Sequence, residues 1–339
     1  MGKRVYGVDF GTKELKIYKK GKGIVVSEKN VIATENQNRI IAIGDEAYEM
    51  NEKAPENVEV IFPVKNGVIA DIAYMEGLFS SFMKKINNGS KPSSADYLVA
   101  VPTDITDVEK RAFTDLILSS IAKIKSIRII EKPIAAALGA NLDITNAHGV
   151  MIVDIGADTT EISVLSLGGI VISKLLTIGG NTFDEAICAS VKKNCNLYIG
   201  RKTAETLKIK LGSAYPTDEG TYTIFGRDVV TGLPLSKEIP SILVYDAMHE
   251  YLNSIFDAIR MILERTPPEI SSDIIDSGIY ITGGCASIRH LADLVSKETE
   301  LGVNICDDSL NTVIKGLGRI IEDSTYQILP DSIKGKSYK

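Results

Sequence analysis

Apolar residues come first in short runs and later at helical spacing. Residues 5–8, 15–18 and 23–26 are β-rich runs parted by Gly/Lys turns, which predicts three strands. Residues 97–101 form an apolar strand closed by Pro102. Thr106-x-x-Glu109 then reads as a capping box, and Val108, Ala112, Leu116 and Ile117 lay a helical stripe behind it. A strand at 127–130 leads into an alanine-rich helix near Pro133. The pattern restarts with strands at 150–153, 161–165 and 169–176, followed by a helix from about Thr182. Residues 242–263 make a long amphipathic helix, with Val244, Met248, Leu252, Ile255, Ile259 and Ile262 on one stripe and Pro267-Pro268 ending it. A strand at 279–281 precedes Thr282-Gly283-Gly284. A helix and then a polar tail follow after about Gly318.

The opening (strand, Asp9-Phe10-Gly11-Thr12, strand, strand) and the middle (strand, Asp154-Ile155-Gly156, strand, strand) share one layout. This weak duplication predicts two related α/β domains with equivalent Asp-x-Gly turns. Composition narrows the function classes. The chain has 339 residues, 44% hydrophobic and 24% charged, which is enough for two domains. Net charge is −6 with no Lys/Arg-rich block, which argues against a general nucleic-acid binder. The four cysteines form no CxxC pair, and three histidines make no zinc-like cluster. No signal-peptide pattern or transmembrane-length apolar run is visible, so the expectation is a cytoplasmic protein with peripheral membrane contact at most. The loop at 87–95 (NNGSKPSSA) is polar.

Five elements carry candidate chemistry. In Asp9-Phe10-Gly11-Thr12, glycine allows close phosphate approach, the N–H groups that follow form an anion nest, and Asp9 is placed to hold Mg²⁺ through water. Asp154-Ile155-Gly156-Ala157-Asp158-Thr159-Thr160 repeats that arrangement. A pair of such turns, clamping one nucleotide's phosphates, is far more specific than either alone. Ile178-Gly179-Gly180-Asn181 opens a helix with Asp184 at the expected N3 position, which suits a phosphate or ordinary capping. Glu205 and Lys208 share a helix face, as ribose and nucleoside contacts or as a surface ion pair. Thr282-Gly283-Gly284-Cys285-Ala286 would let adenine lie flat on the backbone, or is a plain tight turn.

In their order and spacing these elements resemble the actin, Hsp70 and sugar-kinase superfamily. Within it the chain resembles MreB, the bacterial rod-shape actin, nearly end to end. Specific pieces are PVKNGVIADI, VPTDITDVEKRA, EKPIAAALGA, IGGNTFDEAI, IGRKTAETLKIKLGSAYP and ITGGCASIRHL. The resemblance implies an actin-like (ribonuclease H-like) α/β fold of two domains with a nucleotide cleft between them. The first would be 1–143 plus 321–339 with an insert at about 32–80. The second would be 144–320 with an insert at about 182–250. The implied ligands are ATP or ADP with Mg²⁺ on Asp9 and Asp154. Gly11, Thr12, Lys13, Glu14, Gly156, Ala157, Asp158, Gly179 and Gly180 would face phosphate. Glu205, Lys208, Gly283, Gly284, Cys285 and Ala286 would face the nucleoside.

Departures from the family cluster at the phosphate end. MreB proteins usually carry Glu-Glu-Pro where this chain has Glu131-Lys132-Pro133, so Lys132 stands where a carboxylate polarises the attacking water. DIGGGTT has become DIGADTT, which puts Asp158 where glycine is usual, and Lys132 and Asp158 are a candidate ion pair. Thr159 is kept as the second water-positioning residue, and Glu131 is the neighbouring carboxylate. DLGTANT has Lys13-Glu14-Leu15 for its last three residues, and IGGD ends in Asn181. The expectation is a filament protein of paired protofilaments that guides cell shape, with slow ATP hydrolysis and weak direct membrane binding. Its partners would be itself, other MreB paralogues and membrane-bound shape-complex proteins, without nucleic acid. Alternatives are a non-polymerising or copolymerising regulatory paralogue, and a sugar-kinase-like phosphotransferase, for which no specific motif is present.

Overall fold

The computed structural model describes residues 4–37, 39–89, 94–121, 123–216 and 220–332. Residues 90–93 of the polar loop, Met1 to Lys3, and 333–339 of the expected first domain lie outside the described residues. The chain divides into two compact units, one of 1–148, 165–175 and 310–339, the other of 149–164 and 176–309.

The chain opens with β1 (Val5–Phe10), β2 (Glu14–Lys19) and β3 (Gly23–Lys29), an antiparallel meander. Next come β4 (Ile32–Glu35), β5 (Arg39–Ile43), α1 (Gly44–Met50) and β6 (Val58–Ile61), a small sheet with one helix. A short hairpin, β7 (Val64–Lys65) and β8 (Val68–Ile69), leads to α2 (Ile72–Ile86). Then follow β9 (Ala95–Val101), α3 (Asp107–Ser120), β10 (Ile124–Glu131) and α4 (Lys132–Gly139). The second half runs β11 (Val150–Ile155), β12 (Thr160–Ser166), β13 (Gly169–Leu176), α5 (Gly180–Cys195), β14 (Leu197–Tyr198) and α6 (Arg201–Leu211). A hairpin of β15 (Thr221–Asp228) and β16 (Pro234–Pro240) precedes α7 (Ser241–Arg265), α8 (Pro268–Ser277) and β17 (Ile279–Thr282). After a 3-10 turn (Gly284–Ser287) come α9 (Leu291–Thr299), β18 (Val303–Ile305), α10 (Thr312–Glu322) and β19 (Asp331–Ser332).

The two large sheets repeat one order. The first runs β19-β10-β9-β1-β2-β3 and the second β18-β17-β11-β12-β13. Thus β1, β2, β3, β9 and β10 correspond to β11, β12, β13, β17 and β18, which is the duplication expected from the two Asp-x-Gly turns. In both sheets the Asp-bearing strand runs parallel to its inner neighbour, β1 to β9 and β11 to β17. Parallel strands buried on both faces explain the near-continuous apolar runs; every residue of β9 is buried.

In the first unit Val8, Phe10, Leu15, Ile17, Phe79 and Phe113 share one core, each fully buried. Each such side chain contributes about 1.5–3 kcal/mol over an exposed one. In the second, α7 buries its whole expected stripe, and α5 adds Phe183, Ile187 and Val191.

Three element expectations need correction. Val108 is 79% exposed. The first turn of α3 faces solvent to serve the capping box, in which Thr106 N donates to Glu109 at 2.8 Å, so the buried stripe begins at Phe113. The last helix starts at Thr312, not near Gly318. A Cβ on Gly316 would lie 1.7 Å from the Ala135 carbonyl oxygen, so this glycine is the contact that lets α10 cross α4. α5 starts at Gly180, so Thr182 rather than Asp184 is at N3, and its Oγ1 accepts from Gly179 N at 3.3 Å.

Candidate functional site

In the first unit the turn after β1 is tight. A Cβ on Gly11 would sit 2.6 Å from the Glu14 carbonyl oxygen. Fully buried Asn30 holds the same backbone. Its Nδ2 donates to Gly11 O at 2.7 Å and its own N to Lys13 O at 2.9 Å. Thr12 and Lys13 are half-buried beside it. Glu14 turns to Lys29 at 2.6 Å and Lys16 at 3.4 Å. Burial pushes its pKa up, but the Lys29 hydrogen bond and the charges of Lys29 and Lys16 together outweigh this and hold it below the ordinary value. Its carboxylate is therefore committed within the sheet.

Asp9 lies near the end of β1, in register with Ala100 of β9, and Glu131 of β10 is in register with Val101. Strand spacing puts β1 and β10 about 10 Å apart across β9, a gap that a lysine and an aspartate can bridge. They do so: Lys132 Nζ is 3.0 Å from Asp9 Oδ1, with side chains only 14% and 10% exposed. Lys132 opens α4 directly after β10. Glu131 turns to Lys110 instead, at 3.1 Å.

The turn after β11 is the counterpart in the second unit. Gly156 N donates to Thr159 O at 2.8 Å, closing the loop over Ala157 and Asp158. The first N–H groups of α5 serve this loop. Gly180 N donates to Gly156 O at 3.0 Å and Asn181 N to Ala157 O at 2.7 Å. A Cβ on Gly179 would lie 2.7 Å from Ala157 O. Gly179 and Gly180 thus support this loop from behind, and at Gly179 the absence of a side chain is a packing requirement. Asn181 Nδ2 donates to Asp158 Oδ1 at 2.7 Å.

Gly283, with φ 88°, is pressed on the same turn; a Cβ there would meet Asp154 Oδ1 and Ile155 O, each at 2.4 Å. The Cys285 thiol donates to Gly156 O at 3.6 Å, and Ala286 is buried while Gly284 is exposed. Lys208 of α6 pairs with buried Asp184 at 2.8 Å and donates to Gly180 O at 2.7 Å. Glu205, half-buried, sits one turn earlier on α6. Asp154, Gly156, Asp158, Gly180, Lys208, Gly283 and Cys285 therefore converge at the carboxyl ends of β11 and β17, where α/β sheets bind ligands. Burial, and then the Asp154 charge, pushes the Cys306 thiol up to about 11.

Sequence reasoning missed Asn30, Lys110 and the Asp184–Lys208 pair. Nothing in the local pattern singles out Asn30 or Lys110, since their roles come from chain segments brought together by the fold. Asp184 was visible only as a capping residue.

Residues 3–328 match the family model of the MreB/Mbl proteins. The chain belongs to the MreB/Mbl family. It is 39% identical over 323 residues to the cell shape-determining protein MreB of Escherichia coli (strain K12), covering 93% of this chain and 92% of that one. It is 38% identical over 322 residues to cell shape-determining Mbl of Bacillus subtilis (strain 168), covering 94% and 96%. Among solved structures, MreB5 of Spiroplasma citri bound to ADP superposes with a TM-score of 0.89 at 32% identity, over 96% of this chain and 98% of that one. Its AMPPNP-bound form gives 0.88 at 32% identity, over 97% and 98%. The MamK double helical filament, at 22% identity and a TM-score of 0.79, supports the fold alone. The fold is the actin-like α/β fold.

Within this MreB/Mbl member the expected magnesium ligands differ in fit. Magnesium favours carboxylates, phosphate and retained water. Half-buried Asp154 at a strand end fits that role. Asp9, already paired with an ammonium, does not. Among the described residues no three His, Cys, Asp or Glu side chains gather as a metal site.

Proposed function

We propose that this chain is an ATP-binding, actin-like cytoskeletal protein that polymerises into filaments, helps determine cell shape by guiding cell-wall synthesis, and hydrolyses ATP slowly. The observation that carries this is the packing of Gly283, Gly180, Cys285 and the Asp154 turn into one backbone-lined cradle, in a family whose Spiroplasma citri member is seen with ADP and with AMPPNP. The N–H groups of 11–13 and 156–159 would bind phosphate, Glu205 the ribose hydroxyls, and 283–286 the adenine. Asp154 would hold the accompanying magnesium, which would neutralise phosphate charge. Lys208 would brace Gly180 rather than touch the nucleoside.

Slow hydrolysis follows from the residues at the phosphate end. An ammonium has three donors and no acceptor, so Lys132 cannot take a proton from water. Glu131 is held by Lys110, and Asp158 by Asn181. Thr159 is left to orient water without a base beside it. Self-association into paired protofilaments, a cytoplasmic location and membrane recruitment through partners complete the reading; among the described residues no helix is long and apolar enough to cross a membrane.

Electron microscopy of the purified protein with ATP and with ADP, beside a phosphate-release assay, tests this. Filaments with ATP and little phosphate release are expected. Absence of filaments with ATP would favour a second reading, a regulatory paralogue that caps or copolymerises with a Glu-bearing MreB, which the Lys132–Asp9 pair also supports. Sedimentation with and without such a partner separates the two.

A further inference from the structure

We propose that the Lys132 ammonium is a built-in cation at the phosphate site, which makes nucleotide binding by this chain nearly independent of magnesium. The inference rests on the nucleotide-binding reading above.

Three observations carry it. The ammonium sits 3.0 Å from the carboxylate that the Asp9 turn presents, at the distance of a direct ion pair. Both side chains are largely withdrawn from water, so solvent screens the pair weakly. The backbone fixes both ends: Asp9 lies between paired neighbours β9 and β2, and Lys132 is the first residue of α4.

The charge count points the same way. A family member with Glu at this position presents two carboxylates, which repel a polyphosphate until a divalent cation binds. Replacing that Glu by Lys changes the formal charge from −1 to +1, a gain of two, which equals the charge of one magnesium ion. Asp9 and Lys132 together sum to zero. Lysine is a compact point charge and a common phosphate binder. It also stays in place when the nucleotide leaves, so the site is already neutralised before binding.

The test is the magnesium dependence of nucleotide affinity, read by calorimetry or by a fluorescent ATP analogue, with excess MgCl₂ and with EDTA. Wild-type Kd values should differ by less than about tenfold between the two. In Lys132→Glu the ratio should rise by roughly 10–1000-fold, the span by which a nearby charge of changed sign alters the binding of a charged partner. Lys132→Gln should fall between. Circular dichroism confirms that each variant is folded, and the wild-type ratio stands alone if a variant is not. A wild-type ratio above about a hundredfold would overturn the inference, as would a Lys132→Glu protein with the wild-type ratio. Failure of the wild-type protein to bind ATP with or without magnesium would defeat the nucleotide-binding reading itself, a result distinct from tight but magnesium-dependent binding.

Discussion

Reversing the substitution at 132 should not by itself restore hydrolysis. Coulomb attraction between Lys132 and Asp9 at 3.0 Å is about 5–6 kcal/mol at an effective dielectric near 20, before desolvation is set against it. Lys132→Glu replaces that attraction with a repulsion of similar size. Removing one partner of a buried pair typically costs about 3–5 kcal/mol, so the single variant should melt lower, most clearly without divalent cation. Asp158, held by Asn181, would also keep a carboxylate in the loop after β11. The double change Lys132→Glu with Asp158→Gly removes that charge and restores a backbone-lined loop. A general base is worth about 10²–10⁴-fold in rate. Phosphate release at saturating ATP should therefore be slower in wild type by about that factor than in a Glu-bearing MreB, with the double variant recovering most and the single one less. Wild-type release as fast as that of the Glu-bearing protein would refute the reasoning. Glu131 would then have to leave Lys110, and Lys110→Ala would speed the reaction further.

Asn181→Asp should lower the melting temperature, and adding Asp158→Gly should rescue it, because two carboxylates would otherwise face each other across a 2.7 Å contact; additive effects in that double-mutant cycle would sink the pairing. Glu14 has a folded pKa below its ordinary 4.5, so its stabilisation is present above that pH and is lost as pH falls through the folded value. Glu14→Gln should accordingly flatten the acid limb of a melting-temperature profile. The Cys306 thiol should alkylate with a midpoint near pH 11, shifting downward in Asp154→Asn, and no shift would place Asp154 elsewhere. Pure protein should co-pellet with liposomes weakly at physiological salt; pelleting comparable to an anchored MreB would contradict the expected dependence on partners.

Much of the fold is legible because periodicity reports burial directly. The 244–262 stripe is buried as read, and the two Asp-x-Gly turns mark corresponding strands in the two sheets. Legibility fails where tertiary packing decides. The last helix reads from about Gly318 in sequence but starts at Thr312, and its Gly316 is the crossing point of two helices. The hairpin of β15 and β16 exposes Phe225 at 77%, and its weak alternation gives little strand signal. At the site, the residue types and turns were readable, but their partners were not. Lys132 could be read as a missing base and a possible phosphate-binding cation, with Asp158 as its candidate partner; the pair described at Lys132 is with Asp9. Gly179 and Gly180 read as phosphate contacts, yet the N–H of Gly180 serves the neighbouring loop.

The phosphate-end departures are matched to one another, and this bears on whether the site has decayed. The family's IGGD carries a carboxylate at 181 and its DIGGGTT a glycine at 158. This chain has an amide at 181 and a carboxylate at 158, bonded to each other. The charge has moved by one contact and its sum is unchanged at −1. Glu14, new relative to DLGTANT, is held by Lys29 and Lys16. Lys132, new relative to Glu-Glu-Pro, is held by Asp9. Counting Lys13 for Ala (+1), Glu14 for Asn (−1) and Lys132 for Glu (+2), with the 158/181 exchange at zero, the phosphate end gains two positive charges. Glu14, Lys132 and Asp158 are half-buried and each has a partner, a match that a site drifting after loss of its ligand has little reason to keep, since withdrawing an unpaired charge from water is costly. Packing alone would explain the pairing, but it would not explain the sign. On the proposed nucleotide-binding reading, a gain of positive charge at these turns, together with loss of the carboxylate before Pro133, is the combination that would hold a polyphosphate while slowing its cleavage.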